Sequence, residues 1–178
     1  MRYDSVFKSL AEDDPRGLLF LLAGVPLTEE VTIEMLPREV TPNALQVDHV
    51  YRVKTPQGEW IWHIEVQTHY RANVPERILR YNLALVLKYP GLEIRSTLVL
   101  LVERNTPRTV ATSYALDLGG VRLSVEYRVI RLWELDAGPV LEAGRLSLFP
   151  WVGLMRASTE DYVASLRKIE ASEDEKLN

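Results

Sequence analysis

The stretch Glu59-Trp-Ile-Trp-His-Ile-Glu-Val-Gln-Thr-His69 alternates without interruption. Successive side chains of an extended strand point to opposite faces, so Trp60, Trp62, Ile64 and Val66 share one face while Ile61, His63, Glu65 and Gln67 share the other. One face is apolar and the other carries chemistry. Because Trp60 and Trp62 lie opposite the polar side chains, they are expected to pack into a core rather than to stack on bases.

Outward from this strand, residues 45–54 read as a second strand. Leu45, Val47, His49, Tyr51 and Val53 lie on one face, Gln46, Asp48, Val50 and Arg52 on the other, and the turn Thr55-Pro-Gln-Gly58 reverses the chain. Residues 31–40 alternate at Val31, Ile33 and Met35 and end on the turn signal Pro42-Asn43. Upstream, residues 5–12 read as a short helix. Asp14-Pro15 then supplies an N-cap and a first-turn proline for a second helix that stops at Gly24. Downstream, residues 73–89 take on helical period, with Ile78, Leu79, Leu83, Leu85 and Val86 as apolar bulk and Arg77, Arg80, Ala84 and Lys88 on a common stripe, which predicts an amphipathic helix with a basic side. Residues 95–103 contain the continuous apolar run 98–102, the pattern of a central strand buried on both faces, hence a parallel or mixed sheet. Residues 121–135 read as one further long strand preceded by a loop at 105–120, and the core is expected to end near Trp133. Residues 136–155 read as a proline- and glycine-punctuated coil, followed by a charged helix-like tail from residue 158 that frays over 170–178. The whole reads as an α/β fold: a single domain over residues 1–157 and a tail over 158–178.

Composition narrows the chemistry. The 178 residues are 47% hydrophobic and 26% charged, enough apolar material for one core. With a net charge of −4, contact with nucleic acid has to come from a local patch. The absence of cysteine removes disulfides, thiol nucleophiles and cysteine-ligated metals, so the metal ligands left are carboxylates, carbonyls and three histidines. The first residues lack the apolar run of a signal peptide, and the longest apolar runs, 17–25 and 97–102, are far too short to span a bilayer. A soluble cytoplasmic protein without a membrane partner is expected.

Two-residue spacing puts Glu65 and Gln67 about 7 Å apart on one face, at ~3.3 Å per residue. A hairpin brings Asp48 beside Glu65 where the register allows, and two carboxylates on adjacent strands can share a hard cation such as Mg²⁺ or Mn²⁺. Such an ion orients a phosphodiester and activates water. The pattern is permissive, however, and from spacing alone the same residues read as a half-exposed sheet face on which Asp48 and Glu65 pair with Arg52 or His63. A zinc hydrolase built on His63, His49 and His69 is a further reading, weakened because Asp48 and His49 point to opposite faces.

Val47-Asp-His-Val-Tyr-Arg52 and Trp62-His-Ile-Glu-Val-Gln-Thr-His69, followed by Pro75-Glu-Arg-Ile-Leu-Arg-Tyr81, resemble the PD-(D/E)XK nuclease superfamily, and within it the recombination-promoting nuclease and transposase-like branch. Asp4-Ser-Val-Phe-Lys8, Val129-Ile-Arg-Leu-Trp-Glu-Leu135 and residues 148–155 are similar to further elements of that branch, so the resemblance runs over roughly residues 4–155. It implies a restriction-endonuclease-like mixed central β-sheet flanked by α-helices, and a Mg²⁺- or Mn²⁺-dependent DNA endonuclease linked to recombination or mobile elements. Position by position it implies that Asp48 bridges the metal, Glu65 ligates it and the Val66 carbonyl is a third ligand. Gln67 stands where the wider superfamily has lysine. A neutral amide carries no charge to stabilise the attacked phosphate, so the metal and nearby basic groups have to supply it. Arg77, Arg80 and Tyr81 are the expected nucleic-acid contacts, unless they form a solvated helix face with Tyr81 packed beneath. Asp4 or Glu12 is a candidate outer carboxylate, with N-capping the plainer role for Asp4. Many members of the superfamily act as dimers, and residues 146–155 are the expected homodimer interface. Gln67 and the acidic net charge keep a second expectation open, a catalytically degenerate nucleic-acid-binding or scaffold module with the same fold.

Overall fold

The computed structural model describes residues 11–37 and 49–177, with side chains through residue 170. Asp4 and Asp48 lie outside the described residues, as do the turn expected at Pro42-Asn43, most of the helix expected over 5–12 and the first part of the strand expected over 45–54.

A five-stranded mixed sheet with helices on its faces organises the chain. Strands β1 (Thr32–Met35), β2 (His49–Thr55) and β3 (Gly58–Gln67) form an antiparallel meander closed by the Thr55–Gly58 turn. From β3 the chain crosses through helix α2 (Val74–Lys88) to β4 (Glu93–Leu100), which pairs parallel to β3 on one side and to β7 (Arg128–Arg131) on the other. A parallel pair needs such a crossover, and the uninterrupted apolar run of β4 reflects burial from both faces.

The alternation of β3 divides the protein in two. Trp60, Trp62, Ile64 and Val66 join Tyr51 and Val53 of β2 and Val99 of β4 in the larger core cluster. Trp62 is 2% exposed, and its indole N–H donates to the Thr97 hydroxyl at 3.0 Å. Packing is therefore the role of the tryptophans. This face is covered by the chain's two ends: near the start, α1 (Pro15–Leu18) running into a π-helical turn (Leu19–Ala23), and near the finish, α3 (Gly138–Ala143), the 3₁₀ turn Leu146–Leu148 and α4 (Phe149–Val152). The Asp14-Pro15 start and the Gly24 stop stand where the sequence put them, with Gly24 left-handed at φ 69°.

The opposite face carries α2. Ile61, Val50, Tyr81, Ala84 and Leu85 form one cluster there, and Val74, Ile78, Leu79, Leu98 and Leu100 another, which a separate hairpin of β5 (Ser113–Asp117) and β6 (Arg122–Glu126) helps to close through Val125. Helix α5 (Thr159–Leu177) follows α4, burying Ser165 and packing Ile169 on the larger cluster, and it stays helical through the stretch expected to fray.

Several expectations are corrected. Residues 121–135 are not one strand: the chain leaves the hairpin at Tyr127, whose N–H donates to the Thr112 carbonyl at 2.9 Å, and enters the main sheet as β7. Side-chain alternation continues across such a switch and so conceals it. The expected loop at 105–120 holds β5. Its turn is signalled by Asp117-Leu-Gly-Gly120, where Asp117 accepts from the Gly119 N–H at 3.0 Å and Gly119 sits at φ 77°. Residues 136–155 are helical turns rather than coil, since Pro139 and Pro150 occupy first-turn positions and Gly144, at φ 63°, ends α3. Nor does the core end near Trp133: Leu148, Phe149, Trp151, Val152 and Met155 of the segment expected at a homodimer interface are buried in it, while Leu146 is exposed. On α2 the expected basic stripe does not form, because Ala84 is buried against the sheet and Arg77 turns inward.

Candidate functional site

Glu65 lies near the carboxyl end of β3 and is only 2% exposed. Its place on the polar face of the strand aims it at the first turns of α2, where the guanidinium of Arg77 closes on Oε1. Gln67, next on the same face, donates from Nε2 to Glu65 Oε1 at 2.9 Å and to the Val66 carbonyl at 2.7 Å. The sequence expectation that Glu65, Gln67 and the Val66 carbonyl meet is thus met in geometry, and Arg77 is drawn to them from across the crossover. A carboxylate this withdrawn from water needs a cation and hydrogen-bond donors, and Arg77 and Gln67 supply both.

The remaining expected residues are distributed differently. Arg80 pairs with Glu76 at 2.6 Å on the exposed side of α2. Tyr81 is buried with its ring edge-on to His63, at 5.5 Å between centroids and 81° between planes. Glu12 is exposed, on the segment whose Ala11 packs in the tryptophan-face core.

Below Glu65 a second polar network is sealed from water. Asn82 Nδ2 donates to the Ile78 carbonyl at 2.9 Å and to Ser96 Oγ at 2.7 Å, and Ser96 Oγ lies 3.1 Å from His63 Nδ1. The Ser96 hydroxyl thus bridges Asn82 on α2 and His63 on β3. This network had no local signature in the sequence, because its members come from β3, α2 and β4.

The histidines do not converge. His49 pairs with Ile64 in the ladder and stacks on Tyr51, which puts it on the tryptophan face, while His63 faces α2. His69 is exposed beyond β3, its Nδ1 3.0 Å from the Arg104 carbonyl. A three-histidine zinc centre has no support in this placement, and among the described residues no group of three or more His, Asp or Glu side chains is arranged to hold a metal. Among them, too, no helix is long and apolar enough to cross a membrane.

A second buried carboxylate, Asp14, lies far from Glu65 in sequence and does a different job. It caps α1 by accepting from the Gly17 N–H at 2.8 Å, and it accepts from Arg145 Nε at 2.8 Å, from the other Arg145 nitrogen at 2.5 Å and from the Ser147 hydroxyl. Burial on its own would raise this carboxyl, but the bonds from Arg145, Ser147 and Gly17 outweigh it and hold the group below the ordinary aspartate value. The same bond raises Arg145.

Comparison with models of protein families, with curated proteins and with solved structures gives no match.

Proposed function

We propose that this chain is a divalent-metal-dependent DNA endonuclease on a restriction-endonuclease-like version of its mixed α/β fold, with Asp48, Glu65, the Val66 carbonyl and Gln67 as its reaction centre. The observation that carries the reading is the convergence of Glu65, Gln67 and the Val66 carbonyl at the end of β3 under the crossover helix. The β2–β3 ladder is described as far as His49 opposite Ile64. The carboxylate and carbonyl oxygens gathered at the end of β3 are of the type that Mg²⁺ and Mn²⁺ select, with the Gln67 Nε2 amide donating to both.

Asp48, Glu65 and the Val66 carbonyl would hold the ion, which when bound supplies Lewis acidity and a more acidic water. The chain's own residues do the rest. Arg77 sets a guanidinium against the buried Glu65 carboxyl and brings positive charge to a site whose amide at position 67 has none. Gln67 fixes the Glu65 carboxylate by hydrogen bonding, leaving its own carbonyl oxygen as an acceptor. The test is nicking of supercoiled DNA in Mg²⁺ or Mn²⁺. EDTA is expected to stop it, and Glu65→Gln and Asp48→Asn each to lower the rate by about 10²–10³-fold, on the scale of losing a main electrostatic element of a site. Nicking that persists in EDTA or in either variant sinks the reading.

A second reading is favoured by the Glu65–Arg77 pair itself. A buried carboxylate already matched by a guanidinium and an amide is a complete structural element, and on that basis the chain is a non-catalytic nucleic-acid-binding or scaffold module of the same fold. DNA binding without cleavage, indifferent to divalent ions and to Glu65→Gln, would establish it.

A further inference from the structure

Strands β3, β4 and β7 are mutually parallel, so their carboxyl ends open on one edge of the sheet, and the connections leaving them form a common rim. The crevice beyond such ends is where open α/β sheets bind ligands. Arg71 follows β3, Arg104 and Arg108 lie on the connection after β4, and Arg131 is the last residue of β7.

These connections are tied together. The Leu101 N–H donates to the Gln67 carbonyl at 3.0 Å, prolonging the contact between the two chains past the end of β3. His69 Nδ1 donates to the Arg104 carbonyl at 3.0 Å, and an Arg131 guanidinium N–H donates to the Arg108 carbonyl at 3.1 Å. Between those anchors the chain turns tightly: Thr106 donates from N to the Glu103 carbonyl at 2.9 Å and from its hydroxyl to the Val102 carbonyl at 3.0 Å, with Asn105 left-handed at φ 64°. The backbones of Arg104 and Arg108 are therefore held in place, the Arg71 carbonyl accepts from the Val74 N–H at 3.0 Å, and the side chains of all three arginines stand exposed.

Arg131 is offset by Glu134 at 3.7 Å, and Glu103 is the acidic residue on the turn. No ion pair among the described residues engages Arg71, Arg104 or Arg108, whereas Arg77 is committed to Glu65 and Arg80 to Glu76. In a chain of net charge −4, this edge stands out as a local positive field. Guanidinium forks match phosphate oxygens in pairs, and exposed arginines on an anchored loop lose little freedom in doing so.

We propose that this rim is a docking surface for the phosphate backbone of a nucleic acid, with Arg71, Arg104 and Arg108 as the contacts and His69 as a positioning residue that sets the loop. The inference rests on the reading above in taking a nucleic acid as the occupant. It moves the phosphate contact off α2, whose arginines are paired and whose Tyr81 is buried, and onto the sheet edge where Glu65 and Gln67 emerge.

The test is the salt dependence of binding to a short DNA duplex, read by fluorescence anisotropy in EDTA so that nothing is cut. Replacing Arg71, Arg104 and Arg108 together by glutamine is expected to weaken binding about 10–100-fold at roughly 50 mM salt and to flatten the log–log salt slope by about 2.7, at ~0.9 per lost phosphate contact. His69→Ala should weaken binding several-fold and leave the slope alone, because the charges remain. An unchanged slope in the triple variant overturns the proposal. So does equal, arginine-dependent binding of polyglutamate, which would mark the rim as a site for acidic protein. Cleavage in Mn²⁺ is measured alongside. A protein that binds through the rim but cuts nothing in any divalent ion refutes the endonuclease reading and leaves the rim standing. One that cuts DNA with a slope indifferent to these arginines does the reverse.

Discussion

Asp14 and Glu65 are both withdrawn from water, and each is met by an arginine, yet they sit in opposite kinds of surroundings. Asp14 joins segments 131 residues apart in sequence, since its partner is Arg145. Its donors are the first turn of the helix it caps, a serine and two nitrogens of a guanidinium, and the last two residues, Ser147 and Arg145, fasten α1 to the segment leading into α4. Glu65 stands at the end of a central strand, and its contacts with Arg77 and Gln67 meet on one oxygen, Oε1, beside a neighbour that is itself only half-buried. A carboxylate enclosed by fixed donors from distant segments is a fastening. One placed where parallel strands end, with partners from its own strand and the crossover helix, stands where open α/β sheets bind ligands, which is the position the proposed metal site requires. Burial alone does not separate the two cases; the origin of the donors does.

The largest stability effect expected follows from the fastening. Asp14→Ala leaves Arg145 and Ser147 without their acceptor and uncaps α1, a loss of about 3 kcal/mol by urea unfolding at neutral pH, as for other buried pairs broken on one side. The pH dependence has a definite sign. Because the folded-state carboxyl is held below its ordinary value of 3.8, the stabilisation is fully present above that value and fades as pH falls through the lower, folded one. The gap between the wild type and Asp14→Asn should therefore narrow on going from neutral to strongly acid solution. A gap that stays constant would mean that Asp14 contributes by packing, and the contrast with Glu65 would lose its electrostatic basis.

Much of this frame was legible in the sequence, and the parts that were not share a cause. The two faces of β3, the Thr55–Gly58 turn, the limits of α2, the Asp14-Pro15 cap and the central position of β4 all follow from local periodicity and turn chemistry, which neighbouring residues carry. The meeting of Glu65 with Gln67 was legible for the same reason, being a spacing of two on one strand. The Arg77 contact, the Ser96–Asn82–His63 network and the Asp14–Arg145 fastening were not, because each joins elements whose apposition is decided by the packed sheet. Arg77 looked like one of several basic residues on a solvent stripe, and only the seating of α2 on Ile61 turns it inward. Residues 136–155 were misread for a different reason: glycine and proline punctuate a coil and cap short helices with the same letters, and length is what tells them apart.

The next effect is intermediate and bears directly on the partners of Glu65. Arg77→Met removes the guanidinium while keeping an apolar stem, and should cost about 2 kcal/mol, since it leaves a buried carboxylate short of a cation. The double variant Glu65→Gln/Arg77→Met should recover most of that loss, because a neutral pair has no charge to compensate. A cation site adds a second signature. Mn²⁺ should raise the melting temperature of Arg77→Met more than that of the wild type, and should leave Glu65→Gln unmoved, because binding to the folded state alone stabilises it. If Mn²⁺ shifts none of the three proteins, Glu65 is a fastening like Asp14, and the difference drawn between them collapses.

The smallest effect calibrates the other two. Arg80 and Glu76 form an i,i+4 pair on the outer side of α2 at 2.6 Å, with side chains 65% and 44% exposed. Water and salt screen such a pair, and holding two long side chains in one geometry offsets most of the Coulomb gain, so Arg80→Ala is expected to change stability by no more than about 0.5 kcal/mol. Arg80 is also the arginine on this helix that the family resemblance named with Arg77 as a nucleic-acid contact. The two are three residues apart, about 60° short of a full turn: at position 77 the side chain passes inward to Glu65, and at position 80 it turns back along the helix to Glu76. If DNA affinity follows the loops at the strand ends, Arg80→Ala should leave the salt slope of binding unchanged within error, while the substitutions at Arg71, Arg104 and Arg108 flatten it. A slope that falls by about 0.9 on removing Arg80 alone would put the phosphate backbone across α2 instead. The outer face of the helix would then be the docking surface, and the charge at the rim would be ordinary solvation.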